Sequence, residues 1–260
     1  MNLRLRILRD GPRLAARVVS KGYLAALDFV YPPSCLLCAG EMPEGEHFVC
    51  GECRLVLRPP LTNECDRCGA PVGAYANLEK GCGQCRHEVF SFDGVIRLGT
   101  YDGALRKACL RAKSSSGAGL TRGLARALFR EKEQAFHRQS IDAVIPVPEH
   151  WTRRAFHAHY AAETFSRELA RQLQSPWAHR VLIKRHRTAK QATSPTPVRR
   201  RQQQGTFGVR TGSDLKGKTI LLVDDILTTG STASAATRTL KQAGAKQVVV
   251  AVIAVSPLRK

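Results

Sequence analysis

Thr219-Ile220-Leu221-Leu222-Val223-Asp224-Asp225-Ile226-Leu227-Thr228-Thr229-Gly230-Ser231-Thr232 decides the fold. Its apolar opening is rich in Leu and β-branched residues and reads as a buried strand, ended by two adjacent carboxylates. A Thr/Gly/Ser loop follows, and a helix begins around Ala233-Ser234-Ala235-Ala236. Strand, small-residue loop and helix together present backbone N–H groups to a phosphate, with the helix dipole adding attraction. Gly230 permits the tight turn and close approach. Beside such an anion site, Asp224 and Asp225 suit hydroxyls or a metal better than the phosphate itself. A sugar with one phosphate and free hydroxyls satisfies both halves.

The stretch resembles the ribose-phosphate motif of the type I phosphoribosyltransferases. That resemblance implies binding of phosphoribosyl pyrophosphate (PRPP), with Asp224 and Asp225 on the ribose 2′ and 3′ hydroxyls. Thr228, Thr229, Gly230, Ser231 and Thr232 would then hold the 5′-phosphate. An ordinary strand, turn and capped helix is the plainer reading of the same residues.

Working outward, 260 residues suit one large or two modest domains. The net charge of +20 is unevenly placed. Residues 1–34 carry +4 and residues 35–104 carry −4, so an excess of +20 lies on residues 105–260 with the phosphate motif. A sugar phosphate needs few cations; an excess of this size suits a polyanion such as nucleic acid, or simply a highly charged surface. The segment 179–218 has eleven Lys and Arg against the single acid Asp214. With Ser194-Pro195-Thr196-Pro197 inside it, this segment reads as a basic loop, serving pyrophosphate closure or single-strand tracking.

Residues 1–30 form a basic leader, expected to be an amphipathic helix bearing Arg4, Arg6, Arg9, Arg13, Arg17 and Lys21. No apolar run approaches a membrane span or a secretory core, so a cytoplasmic protein is expected.

Residues 31–90 change character. Eight of nine cysteines fall in four CxxC pairs: Cys35/Cys38, Cys50/Cys53, Cys65/Cys68 and Cys82/Cys85. Two Cys separated by two residues on a tight turn aim both thiolates at one ion, and two such knuckles complete a tetrahedral site. The segment is rich in Gly and Pro and poor in core, so metal would supply much of its folding energy. Two structural Zn²⁺ ions are expected. Sequential pairing puts Cys35, Cys38, Cys50 and Cys53 on one and Cys65, Cys68, Cys82 and Cys85 on the other; interleaved pairing stays open. A disulfide framework is the rival, disfavoured by regular spacing without a secretory signal. His47 and His87 are expected to be bystanders, and Cys109 a core residue.

Residues 91–260 alternate strand and helix. Strands are expected at 94–100, 141–148, 219–224 and 247–255. Helices are expected from Asp102 to Lys113, from Gly119 to about His137, up to about Leu173, and over 231–243 with Gly244 as its stop. The predicted fold is α/β, a largely parallel sheet with helices on both faces, preceded by a small zinc module. Ligands of such sheets bind at the carboxyl ends of the strands.

With the knuckles included, the chain resembles the ComF family over about residues 25–260. The resemblance rests on Phe29-x-Tyr31-Pro32-Pro33, the four CxxC pairs, Pro146-Val147-Pro148, the Asp-Asp-Thr-Thr-Gly run, and the spacing of Gln191, Arg199, Gly205 and Phe207. It implies a zinc-binding N-terminal region, a type I phosphoribosyltransferase-like domain and, in some members, handling of imported single-stranded DNA in natural transformation beside a competence helicase or uptake machinery. Departures fall at Arg154-Ala155-Phe156-His157, Gln202 and Ser114, outside the ribose-phosphate motif. If transferase chemistry operates, Mg²⁺ would bridge pyrophosphate and ribose oxygens, a nitrogen would attack C1′, and Lys113, Arg154, Lys190 and Arg199 are the anion-binding candidates. Nothing in the sequence specifies an acceptor or an oligomeric state.

Overall fold

The structure, a computed structural model, describes residues 34–42, 48–57, 63–79, 81–149, 160–184 and 206–256. The expected leader helix lies outside the described residues.

The elements run α1 (Gly51–Leu57), β1 (Asn63–Glu64), β2 (Pro71–Val72), β3 (Gly94–Thr100), α2 (Gly103–Ala112), α3 (Ala118–His137), β4 (Ala143–Pro146), α4 (Ala161–Leu173), β5 (Leu182–Lys184), β6 (Phe207–Val209), β7 (Thr219–Val223), β8 (Ile226–Leu227), α5 (Ser231–Gln242) and β9 (Gln247–Val255). The main sheet is parallel in the order β3-β9-β7-β4, with β8 also on β9. β9 is central and apolar throughout because helices cover both faces. Val249, Ala251 and Ile253 face a core built with Leu105, Leu124, Leu128, Phe165 and Leu169 of α2, α3 and α4. Val248, Val250 and Val252 face Ala233, Ala236 and Leu240 of α5. This two-sided burial is the alternation that the strand and helix periodicities require.

Element ends follow the expected signals. Asp102 caps α2, its Oδ1 accepting from the Gly103 N–H at 2.7 Å. Ser114 to Gly117 separates α2 from α3, and Gly244, at φ 105°, follows α5. Pro146 closes β4 on the sheet's edge, where its missing donor costs nothing.

The carboxylates follow directly on β7, which closes at Val223 as expected. The ladder pauses at Asp224-Asp225 and resumes in register as β8, with Val223 opposite Ala251 and Ile226 opposite Ala254. β9 is long enough to offer those extra partners, and the paired turns at the acids lift their side chains without shifting register. Ser231 and Thr232 form the first turn of α5, within the helix expected over 231–243.

The N-terminal module clasps the edge strand β3 from both faces. On one side Gly119 and Gly123 of α3 form a flat strip. A Cβ there would stand 2.7 Å from Leu36 Cδ1 and 2.6 Å from Phe48 Cβ, respectively. On the other side Gly69 lies against Val95 and Val255, and the Val95 N–H donates to the Asp66 carbonyl at 2.8 Å. The open edge of the sheet is thus occupied by the second knuckle pair. Arg97 of β3 is fully buried, within 3.5 Å of Glu64 Oε1, while Lys132 of α3 reaches Glu64 Oε2 at 2.9 Å. Burial pulls the Arg97 pKa below its ordinary value despite Glu64.

Candidate functional site

The acids sit where the ladder pauses, at the carboxyl end of β7. Each turns one oxygen back on the chain: the Asp225 N–H donates to Asp224 Oδ1 at 2.9 Å, and the Ile226 N–H to Asp225 Oδ1 at 2.7 Å. Asp225 Oδ2 faces Lys113 Nζ at 2.9 Å. Lys113 lies just past α2, so the turn at 113–117 brings the lysine expected to serve pyrophosphate onto the acid pair instead. Tyr160, at the head of α4, donates its hydroxyl to the Val147 carbonyl at 2.8 Å. Its pKa is raised well above the usual phenol value by burial and by the nearby Asp224 and Asp225 charges.

Burial and the adjacent Asp225 charge push the Asp224 carboxyl up to about 8. Near neutral pH Asp224 is therefore largely protonated. Burial works to lower the Lys113 pKa, but Asp225 outweighs it and the net shift is upward.

The small-residue loop follows directly. Thr228 and Thr229 are exposed, Ser231 and Thr232 half-buried, and Gly230 is buried at φ 71°, a left-handed conformation that glycine adopts freely. Thr229 Oγ1 and Ser231 Oγ converge at 2.8 Å. No side chain caps α5 beyond a long 3.4 Å bond from the Ser231 N–H to Thr229 Oγ1. A first turn that leaves its donors to a ligand is what an anion cradle requires.

The floor under this loop was not legible in the sequence. Phe90 and Phe92 stack with centroids 4.7 Å apart, and a Cβ on Gly230 would stand 2.9 Å from Phe90 Cε1. The intervening linker is tied along α5: Arg238 donates to Ser91 Oγ at 3.3 Å, Lys241 to Asp93 Oδ1 at 2.7 Å, and the Val248 N–H to Asp93 Oδ2 at 2.8 Å. Phe90 also packs on the second cysteine cluster. The second cysteine cluster and the Thr/Gly/Ser loop therefore share one aromatic floor.

Both cysteine sets assemble sequentially, and interleaving is ruled out. Cys35, Cys38, Cys50 and Cys53 form one group and Cys65, Cys68, Cys82 and Cys85 the other, all sulfurs of a group within 4.8 Å of one another. Zn–S bonds of about 2.3 Å set tetrahedral S···S edges near 3.8 Å. Cys38 and Cys50 stand 3.9 Å apart, Cys65 and Cys85 3.7 Å, Cys68 and Cys82 3.6 Å. The Leu37 and Cys50 N–H groups donate to Cys35 Sγ, each at 3.4 Å, as thiolates want. The donor set fits structural Zn²⁺ at both positions. His87 stays outside the cluster, as expected, and Cys109 is a buried core residue of α2. Arg154, Lys190, Arg199 and His47 lie outside the described residues.

Set against known proteins, residues 159–259 match the model of the phosphoribosyl transferase domain, and residues 26–89 match that of the double zinc ribbon domain. This is a type I phosphoribosyltransferase fold with a parallel sheet and flanking helices, preceded by a Cys-rich zinc ribbon module. Its sheet reaches back to β3, well before the matched region. No curated protein matches the chain. Solved structures that resemble it include the glutamine PRPP amidotransferase from B. subtilis, 20% identical over 55% of this chain and 30% of that one, with a TM-score of 0.38. Adenine phosphoribosyltransferase from Saccharomyces cerevisiae is 22% identical over 53% and 69%, with a TM-score of 0.34. Phosphoribosylpyrophosphate synthetase from Mycobacterium smegmatis is 20% identical over 54% and 34%, with a TM-score of 0.31. The chain spans about a third of the length of the first and third of these. Among the described residues no helix is long and apolar enough to cross a membrane.

Proposed function

We propose that this protein binds PRPP at Asp224, Asp225 and residues 228–232, or the 5′-phosphate end of single-stranded DNA at residues 228–232, and works as a ComF-type cytoplasmic protein in the DNA uptake of natural transformation. The observation that carries the reading is the lysine-neutralised acid pair running directly into an uncapped helix N-terminus. With PRPP the acids accept from the two ribose hydroxyls and Thr228 to Thr232 surround the 5′-phosphate; a 5′-terminal deoxynucleotide, with no free diol, engages only the second half. Lys113, released from Asp225 when the diol arrives, becomes free to meet the pyrophosphate, with Arg154, Lys190 and Arg199 as further anion partners. Mg²⁺ carried in by pyrophosphate supplies positive charge to that group. The charge excess on residues 105–260 supports a nucleic-acid partner, and a competence helicase or uptake machinery is the protein partner this role implies.

A phosphoribosyltransferase, moving phosphoribose to a nitrogenous acceptor with release of pyrophosphate, is the second reading. The paired Asp224 and Asp225, both kept at the site, favour it. The two readings separate in one competition experiment with zinc-loaded protein. A 5′-phosphorylated oligonucleotide that displaces PRPP, where its 5′-hydroxyl twin does not, supports end binding. Pyrophosphate release in a panel of nitrogenous acceptors, without such displacement, supports the transferase. Failure of PRPP to bind at all overturns both.

A further inference from the structure

On the face of α3 and α4 that turns away from the sheet lies a cavity of about 560 Å³, separate from the acid pair and the phosphate loop. Arg122 of α3 lines it together with Arg167, Glu168 and Arg171 of α4, and Trp177 closes one end. Arg126 joins them through Glu168, the only acid among the described residues of the lining. That carboxylate is buried and already neutralised: Arg126 Nε donates at 2.7 Å, Arg171 Nη2 at 2.9 Å and Gln172 Nε2 at 2.9 Å, all to Oε1. Against the burial that would raise it, these donors hold its pKa below the ordinary carboxylate value. Four arginines thus face one spent acid, and the groove is strongly positive.

The arginines are held in place by aromatic rings. Arg122 and Arg126 stand 5.4 and 4.8 Å from the Phe48 ring of the first zinc ribbon, and Arg167 stands 5.3 Å from Trp177. His179 also stacks on Trp177 at 4.1 Å, and the indole N–H donates to Ser166 Oγ at 3.0 Å. Guanidinium planes fixed on aromatic faces can pair with phosphate oxygens and accept a base plane.

We infer that this seam between α3 and α4 is a docking groove for the backbone of a single-stranded nucleic acid, with Arg122 and Arg167 as its exposed contacts. The identity of the polymer rests on the nucleic-acid reading above; the existence of an anion groove does not. The first zinc ribbon acquires a task here, since Phe48 positions two of the four cations.

The test is fluorescence anisotropy of a labelled twenty-nucleotide oligo(dT) with zinc-loaded full-length protein. Arg122→Gln/Arg167→Gln is compared with Lys216→Gln/Lys246→Gln, which removes the same charge from exposed sites elsewhere. The groove pair is expected to weaken binding at least about tenfold and to make the log–log salt slope shallower by about 1.4, two phosphates at about 0.7 each. PRPP binding stays unchanged in both variants, which also shows that they fold. In a Trp151→Phe background, oligo(dT) shifts the emission of Trp177. Equal losses in the groove and control pairs overturn the groove while leaving nucleic-acid binding intact. Oligo(dT) bound no better than duplex overturns the groove and the nucleic-acid reading together. Displacement of oligo(dT) by polyglutamate of equal charge overturns it in favour of an acidic peptide.

Discussion

Lys113 Nζ lies 2.9 Å from Asp225 Oδ2, so in the ligand-free protein the cation expected to serve pyrophosphate neutralises the acid expected to serve ribose. Lys113 is about half exposed, and an ion pair in that setting stabilises a fold by no more than about 1 kcal/mol. Lys113→Met is therefore expected to leave thermal stability nearly unchanged while weakening PRPP binding about tenfold, the scale of one charge-assisted contact. Thermal melts beside calorimetry check both halves. A large loss of stability with intact binding would make the contact purely structural.

Asp224 gives a pH dependence of definite sign. Its folded pKa of about 8 lies above the ordinary carboxylate value, so the folded state holds a proton that the unfolded chain has lost. The contribution of this group to stability is full at pH values below the unfolded pKa and is lost as pH rises from about 4 to about 8. On the proposed reading ribose binding runs the other way, because an ionised Asp224 is the better acceptor for a hydroxyl. PRPP affinity is expected to rise about tenfold from pH 7 to 9 and then level off. Asp224→Asn flattens the profile, which calorimetry at a series of pH values reads directly.

The shared aromatic floor links the second cysteine cluster to the Thr/Gly/Ser loop. Phe90→Ala removes a half-buried ring from beneath Gly230 and is expected to cost about 1–3 kcal/mol of stability. PRPP affinity should fall with it, although Phe90 is not among the predicted ligands. Gly230→Ala, with φ 71° and a Cβ 2.9 Å from Phe90, is expected to do the same from the other side. Denaturant melts with and without PRPP separate loss of fold from loss of loop geometry.

Gly119 and Gly123 make the first ribbon's seat. Gly123→Leu drives a side chain into Phe48 and Val49 and is expected to loosen that ribbon from α3. One of the two zinc ions should then leave to a chelator well before the other, where the wild-type protein releases both slowly. Zinc release followed with a chromophoric chelator measures this.

Much of this was legible in local pattern. β9 falls on its expected bounds because Val248 to Val255 is an unbroken apolar run closed by polar residues, and β3 does so although Arg97 interrupts its apolar residues. The cysteine pairing follows its simplest order because each knuckle turns back on its nearest neighbour. Other features depend on partners distant in sequence, which local pattern does not carry. Nothing near Gly230 announces Phe90, some 140 positions earlier, and nothing near Asp224 announces Tyr160. The resumption of the strand at Ile226 depends on the length of β9. One long-range contact did leave a trace: two glycines four residues apart in an otherwise sound helix cost about 1 kcal/mol each, which marks a face where something approaches closely.

The most direct measurement is titration calorimetry of PRPP with Mg²⁺ into the zinc-loaded protein, beside Asp225→Asn. Saturable binding by the wild type, reduced at least about a hundredfold in the variant, is expected if Asp225 receives the ribose diol. Equal binding by both proteins, or none by either, would contradict a ribose-phosphate site at Asp224 to Thr232.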